Sequence, residues 1–380
     1  MPDKNTKKKL RILVACRKFD GVIGGVERMS TTLMNELTER GHEVHLFTWD
    51  ANKDAKNFYP MNPKINWTKL AMGNPKKKAN LSLRLQRMRR VRAYLKELKP
   101  DVVLGFQEGS FVTLKLYGIG LGIPMICAIR ESPFRYKHIK ASPPFWLSCL
   151  ILKLSAAITV QFERYKYAFP KSLQEKVKVT PNHIAPANAQ SDPIGSKQEK
   201  ILLCTGRLSY EKNHEALIKA FAQIAPDHPD WILKIVGGGV ELASLQTLRN
   251  NLDKNISNRI LLVGPTDNVQ PYLEEAQLFC LPSRWEGFPN SLAEAMAHGL
   301  PTIGYKDCDG VGDLILDKKT GLLANGNGDI KSLALALSSL MRNPKLRRQL
   351  GAAALEHSKQ FNFKDMSDNW ENILLEAAKK

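Results

Sequence analysis

Short apolar runs alternate with amphipathic stretches of helical period along nearly the whole chain, and no other feature of the sequence restricts the fold as much. Residues 11–16, 43–48, 101–106, 124–129 and 157–160 read as strands, as do 201–205, 231–236, 259–263, 278–281 and 301–303 further on. Between them, 26–40, 81–98, 214–225 and 290–298 carry apolar residues at helical spacing, and 329–341, 344–360 and 364–378 close the chain with three more such patterns. A strand followed by a helix, repeated, predicts the α/β class, with parallel sheets covered by helices on both faces.

The rhythm breaks once. Residues 181–200, PNHIAPANAQSDPIGSKQEK, are rich in Pro, Ala, Asn and Ser, lack apolar periodicity and read as a linker. The expected organisation is an N-terminal Rossmann-like domain over 1–185, a linker over 186–199 and a second Rossmann-like domain over 200–362. The last helix, 363–380, either ends the second domain or crosses back to the first. Ligands of doubly wound sheets bind outside the carboxyl ends of the strands, so two such edges facing one another would form a cleft.

Charge separates the halves. Residues 1–200 hold 36 Lys and Arg against 16 Asp and Glu, a net +20; residues 201–380 hold 20 against 21, a net −1. The first half is thereby expected to face something anionic, such as a membrane surface, a phosphorylated lipid or nucleic acid. Residues 80–98, NLSLRLQRMRRVRAYLKEL, concentrate that charge. Leu81, Leu85, Met88, Val91, Leu95 and Leu98 form an apolar stripe expected to serve the core. Arg84, Arg87, Arg89, Arg90 and Arg92 fill the rest, with Lys76–Lys78 just before. Such a helix can rest its cations on an anionic membrane. The run 145–160 is the most apolar, but it is short for a membrane span and Lys153 interrupts it. Its Trp146, and Tyr136 upstream, read equally as core or as an apolar surface contact. The apolar run after the basic N-terminus is too short for a signal peptide. Six cysteines at 16, 127, 149, 204, 280 and 308 form no CxxC and sit mostly in apolar runs, which predicts reduced core residues in a cytoplasmic protein and no structural zinc.

The densest chemistry lies at 282–294, PSRWEGFPNSLAE. An apolar strand ends, a turn follows, and Asn290 is placed as the cap of a helix that stops at Gly299. The free N–H groups of Ser291 and Leu292 at that helix start make an anion site suited to a diphosphate. Glu286 before the helix and Glu294 one turn inside it would accept hydrogen bonds from sugar hydroxyls on either side of such a group. The pair Glu286 and Glu294, in the setting S-x-W-E-G-F-P-N-S-L-x-E-A-M-A-x-G-x-P, resembles the signature of family-4 (group 1) retaining glycosyltransferases of the GT-B fold. The resemblance implies that Glu286 contacts the transferred sugar and Glu294 the ribose. It also implies that Gly287, Phe288, Pro289, Asn290, Ser291 and Leu292 hold the diphosphate. Residues 201–213, ILLCTGRLSYEKN, resemble the family's G-R-L-x-x-x-K-N segment, in which Arg207 and Lys212 would stabilise the leaving diphosphate without a metal. Gly237, in VGGG at 236–239, resembles a strand-end glycine run, although a plain tight turn explains it nearly as well. Val263 and Gly264 resemble the loop that stacks on the nucleobase.

In the first half, 16–27 reads CRKFDGVIGGVE. Its G-x-x-G-G spacing lacks the G-x-G-x-x-G of dinucleotide binders. Gly24, Gly25 and Glu27 match the family's G-G-x-E segment, which lines the cleft near the acceptor and the donor phosphate. Many members place a cleft histidine in the segment that here reads AIRESPFRYK, at 128–137; Arg130 is expected at or near that place with Glu131 beside it, either of them able to contact acceptor or sugar. The implied reaction is front-face attack by an acceptor hydroxyl with retention of configuration, the departing phosphate helping to take the proton. The expected reactants are a nucleotide-diphosphate sugar, UDP-linked by family frequency, and a lipid-linked or cell-surface glycan. The expected location is the cytoplasmic face of a membrane. No cofactor is expected: Asp307-Cys308-Asp309 is formally D-x-D, but it reads as a loop rather than a metal site. Two other readings remain open. One is a sugar-nucleotide epimerase or soluble-acceptor synthase on the same fold; the other, a basic nucleic-acid-binding protein, has no recognised binding motif behind it.

Overall fold

The computed structural model describes residues 8–73, 79–139, 145–195 and 200–379. The chain divides into two compact units, Met1–Asn182 with Lys364–Lys380, and His183–Phe363. Lys76–Lys78 and residues 196–199 of the expected linker lie outside the described residues.

The first unit holds a seven-stranded sheet of β1 (Arg11–Cys16), β2 (Glu43–Thr48), β3 (Asn66–Lys69), β4 (Val102–Phe106), β5 (Met125–Ala128), β6 (Ala157–Val160) and β7 (Val177–Val179). Their order is β3-β2-β1-β4-β5-β6-β7, every pair parallel, with Ile12 paired to Val44 on one side and Val102 on the other. This is the doubly wound pattern, in which the chain starts in the middle of the sheet and winds outward in both directions. β4, β5 and β6 are buried throughout, as strands covered on both faces must be. The helices that matter below are α1 (Gly25–Glu39), α2 (Leu81–Leu98), α3 (Glu108–Tyr117) and α4 (Phe145–Leu152).

The stripe on α2 does not serve the core as a whole. Only Val91 and Leu95 are buried, while Leu81 is 73% and Leu85 44% exposed. Length accounts for this: an eighteen-residue helix runs about 27 Å, whereas a six-residue strand reaches roughly 20 Å. The first turns of α2 therefore overhang what they cover.

The second unit repeats the winding with β8 (Lys200–Thr205), β9 (Trp231–Val236), β10 (Ile260–Gly264), β11 (Leu278–Leu281), β12 (Thr302–Tyr305) and β13 (Gly321–Ala324). The order is β10-β9-β8-β11-β12-β13. Three helices of the remaining chain are α5 (His214–Ile224), α6 (Asn290–Ala297) and α7 (Pro344–Ser358). The described part of the expected linker is tied down on this unit. Arg347 of α7, 1% exposed, donates to the carbonyls of Pro193 and Ile194 at 2.6 and 2.9 Å, and Ser191 N–H donates to His298 O. The segment's composition shows the absence of helix or strand, but not a buried guanidinium elsewhere that holds its backbone. The ends of this unit adjoin: Ile184 N–H donates to Phe361 O at 2.7 Å.

The last helix, α8 (Phe363–Ala377), packs into the core of the first unit. Met366, Trp370, Ile373, Leu374 and Ala377 join the cluster of Leu10, Ile12, Val14 and Leu33. Trp370 is fully buried, 6.0 Å from the Phe106 ring, and Glu371 receives hydrogen bonds from Arg40 and His42. All six cysteines are buried and unpaired.

Candidate functional site

The predicted residues of the second unit converge at the carboxyl ends of its strands. β8 and β9 end in backbone packed on backbone: Gly206 N–H donates to Val236 O, Leu208 N–H to Gly238 O and Gly237 N–H to Gly264 O. A Cβ on Gly237 would lie 1.9 Å from Gly206 O, and one on Gly239 2.3 Å from Leu208 O. The glycine run is therefore required by this close approach, which a plain turn would not demand. It brings Gly237 against Gly264, beside Val263, which is 40% exposed.

After β8 the chain makes one turn of 3₁₀ helix, Tyr210–Lys212, and Asn213 takes a left-handed backbone (φ 53°) before α5. That turn is fastened to the turn after β11. Arg284 N–H donates to Glu211 O at 2.7 Å, and its guanidinium donates to Asn213 Oδ1 at 2.8 Å and lies over the Tyr210 ring. The consequence is a fixed pair: Lys212 Nζ lies 2.5 Å from Glu286 Oε1, and Ser283 Oγ donates to the same oxygen at 2.6 Å. Glu286 is 9% exposed. Its own N–H donates to Asp309 O, and Gly310 (φ 80°) sits against its backbone, where a Cβ would come 3.0 Å from Glu286 Cβ and O. A lysine and a glutamate 74 residues apart in sequence are thus locked before any ligand arrives.

α6 begins at Asn290, one residue earlier than expected, with Pro289 in the cap position. Asn290 N–H donates to Phe288 O and Ala293 N–H to Pro289 O. No acceptor for the N–H groups of Ser291 and Leu292 is found among the described residues, so an anion can take them. Glu294 lies in the first turn and a half, with its carbonyl receiving both the His298 N–H and ring nitrogen. Phe288 is 6% exposed, with its ring packed on Phe361. Arg207 differs from Lys212: its guanidinium is three-quarters exposed and pairs with Glu211 at 3.1 Å, an arrangement easily exchanged for a ligand. Asp307 lies in the loop after β12, where its Oδ2 accepts from Gly326 N–H at 3.3 Å.

His214 opens α5 beside this cluster. It is fully buried, and neither ring nitrogen has a hydrogen-bond partner among the described residues. Burial, helped by the charge of Lys212, brings its pKa down to about 4. The unfolded chain binds this proton near pH 6.5, so the second unit is expected to keep its full stability above 6.5. It loses stability as pH falls from 6.5 toward 4, by up to about 3 kcal/mol. Thermal melts across that window should show the decline, flattened in His214→Phe; an equal slope in the variant would assign the effect elsewhere.

In the first unit, Gly24 and Gly25 open α1, and the Glu27 carboxylate folds back on them: a Cβ on Gly24 would lie 2.4 Å from Glu27 Oε2. Tyr59 OH donates to Gly24 O. Arg130 is not the ligand-facing residue expected. It is 7% exposed, donates to Thr180 O, Thr180 Oγ1 and Thr159 Oγ1, and stacks over Trp370. With two strand ends and α8 to satisfy, its guanidinium stays inside the fold. Glu131 is half-exposed and pairs with Arg135 at 3.0 Å. A group that sequence reasoning missed lies beside it: Tyr136 OH donates to Glu108 Oε2 at 3.2 Å and accepts from Arg135 Nη2 at 2.9 Å. Glu108 opens α3, just after β4, and only the sheet topology brings it to the segment after β5.

Two family models match the chain. The family described as "Glycosyl transferases group 1" matches residues 188–357, and "Glycosyltransferase Family 4" matches 23–186. An uncharacterised glycosyltransferase of Haemophilus influenzae is 28% identical, the match covering 93% of this chain and 97% of that protein. A Campylobacter jejuni enzyme, GalNAc-α-(1→4)-GalNAc-α-(1→3)-diNAcBac-PP-undecaprenol α-1,4-N-acetyl-D-galactosaminyltransferase, is 25% identical over 93% of this chain and 96% of its own. Among solved structures, Anabaena HepE in complex with UDP and glucose superposes with a TM-score of 0.77 at 16% identity, covering 96% of this chain and 98% of that one.

Proposed function

Since the chain belongs to the group 1 glycosyltransferases and has their two-domain α/β GT-B fold, we propose that it moves a hexose-type sugar, with retention of configuration, from a nucleotide-diphosphate sugar to a lipid-linked or cell-surface glycan. The observation that carries this reading is the Lys212–Glu286 pair, locked by Ser283, with Glu286 in the loop that launches α6, where two N–H groups find no acceptor among the described residues. In this reading the N–H groups of Ser291 and Leu292 hold the diphosphate, Lys212 and Arg207 meet the charge that grows on it, and Glu286 accepts from the sugar's hydroxyls. Glu294 takes the ribose, and Val263 and Gly264 border the base. The acceptor oxygen bonds to the anomeric carbon, the carbon–oxygen bond to phosphate breaks, and the hydroxyl proton passes to a departing phosphate oxygen. No metal and no protein base enter the step.

The test is a melting curve in EDTA against UDP, GDP, ADP, CMP and NAD. One nucleoside diphosphate, UDP first, is expected to stabilise the protein. At a hundredfold its dissociation constant the gain is about 2.7 kcal/mol, and it should vanish in Glu294→Ala. A shift with NAD alone, or with none of the five, would end the reading. Product analysis then separates transfer to a glycan from epimerisation or from transfer to a free sugar.

A peripheral place on the cytoplasmic face of a membrane is a second element of the proposal. The exposed Leu81 and Leu85 on the basic α2 support it, as do Trp146, Leu147 and Leu150 on α4, which are 65%, 39% and 49% exposed. Among the described residues no helix is long and apolar enough to cross a membrane, so attachment in this reading rests on surface contacts. The Campylobacter relative's acceptor, a glycan on undecaprenyl diphosphate by its name, is the kind of acceptor such a position would reach.

A further inference from the structure

The arginines of α2 divide into two sets. Arg84, Arg87 and Arg92 are spent on the fold: Arg84 donates to Ala79 O, Arg87 twice to Met72 O, and Arg92 to Tyr117 O and Ile119 O. Arg89 and Arg90 make no hydrogen bond or ion pair with any described residue. Both line a shallow, solvent-open cavity of about 760 Å³ between α2 and the end of the edge strand β3, together with Lys53 from the loop after β2 and Lys69 from β3 itself. Lys53 also has no partner among the described residues, and Lys69 lies over the Trp67 ring at 4.1 Å. Gln86 adds an amide, Ala71 and Met72 form an apolar part of the wall, and none of the described residues lining the space is acidic.

Four cations gathered on one cavity repel one another, a cost relieved when an anion enters. The wall that carries them is built rather than incidental. The two hydrogen bonds from Arg87 to Met72 O hold the loop after β3 against α2, and Ala71 adopts a left-handed backbone (φ 52°) there, a conformation uncommon for a residue other than glycine. Two arginine forks and two ammonium groups match the oxygens of a phosphoryl group, the guanidinium by paired donors and the ammonium as a point charge.

We propose that this cavity is a binding site for a phosphoryl group carried on an uncharged body, either the headgroup of an anionic lipid or a phosphorylated soluble molecule. The site belongs to the first unit and requires neither the donor site nor the membrane position.

The experiment uses the full chain with two probes. One is co-sedimentation with phosphatidylcholine vesicles, with and without phosphatidylglycerol; the other is calorimetric titration with glycerol phosphate. The variant is R89A/R90A, two exposed positions, and the control K345A/R348A removes the same charge from exposed positions of the second unit. Binding to the anionic vesicles that falls about fivefold for each cation lost in R89A/R90A, and is kept in the control, supports the site with lipid as its source. Glycerol phosphate binding lost in R89A/R90A while vesicles are ignored supports the site with a soluble source. The proposal is overturned if the wild type binds neither probe, or if the control weakens binding as much as R89A/R90A does.

Discussion

Lys212→Ala is expected to lower kcat/KM for sugar transfer by roughly 10²–10³-fold, the loss seen when one preorganised charge-stabilising donor is removed from an active site. The ammonium is 15% exposed and fixed against Glu286 at 2.5 Å, so it meets the departing diphosphate without having to be ordered first. The same substitution strips Glu286 of its counter-charge and lowers the melting temperature as well. The two effects separate in the double variant K212A/E286Q. Neutralising the stranded carboxylate should restore much of the melting temperature, whereas the rate stays low. Steady-state kinetics with the nucleotide sugar identified by the melting panel provides the measure. A Lys212→Ala enzyme that keeps its full rate would remove this residue from the reaction.

Trp370→Ala should be the most damaging single change to the fold, costing about 3–5 kcal/mol as a large buried aromatic lost to a cavity. For a unit of this size that corresponds to a fall on the order of 10 °C in its melting temperature. The indole fills the space between β4 and α8, with Phe106 at 6.0 Å and the Arg130 guanidinium 5.3 Å from its ring. Its removal opens a void and also loosens the arginine that ties the ends of β6 and β7. A calorimetric scan in which the transition of the first unit moves by less than a degree or two would contradict this account of what holds α8.

The central strands of both sheets were legible because they are buried on both faces and must be apolar throughout. β3, β7 and β13 were not. Asn66–Lys69 reads NWTK and Val177–Val179 reads VKV, and as edge strands they carry no apolar run long enough to stand out. The loop at 282–294 stood out as one contiguous motif, and Ser283 and Arg284 were within it, although nothing local indicates that their partners are Glu286 and the Glu211–Asn213 turn. Arg130 misled because a cation at a strand end looks ligand-facing until the threonines of two neighbouring strands are seen to accept its hydrogen bonds. Pairings of that kind depend on which strands lie side by side, which residue spacing does not encode.

The return of α8 to the first unit sets an order of events during synthesis. A ribosome that has released residues 1–182 has delivered all seven strands of the first sheet, yet that core still lacks Met366, Trp370, Ile373, Leu374 and Ala377. Those side chains emerge only after His183–Phe363 has been made in full. The second unit, whose ends meet at Ile184 and Phe361, forms a closed excursion from the first. The nascent first unit therefore waits, with an apolar groove uncovered, for the last stretch of the chain. That interval is when the protein most needs a chaperone, and a premature stop anywhere after the second unit leaves the first one unsealed.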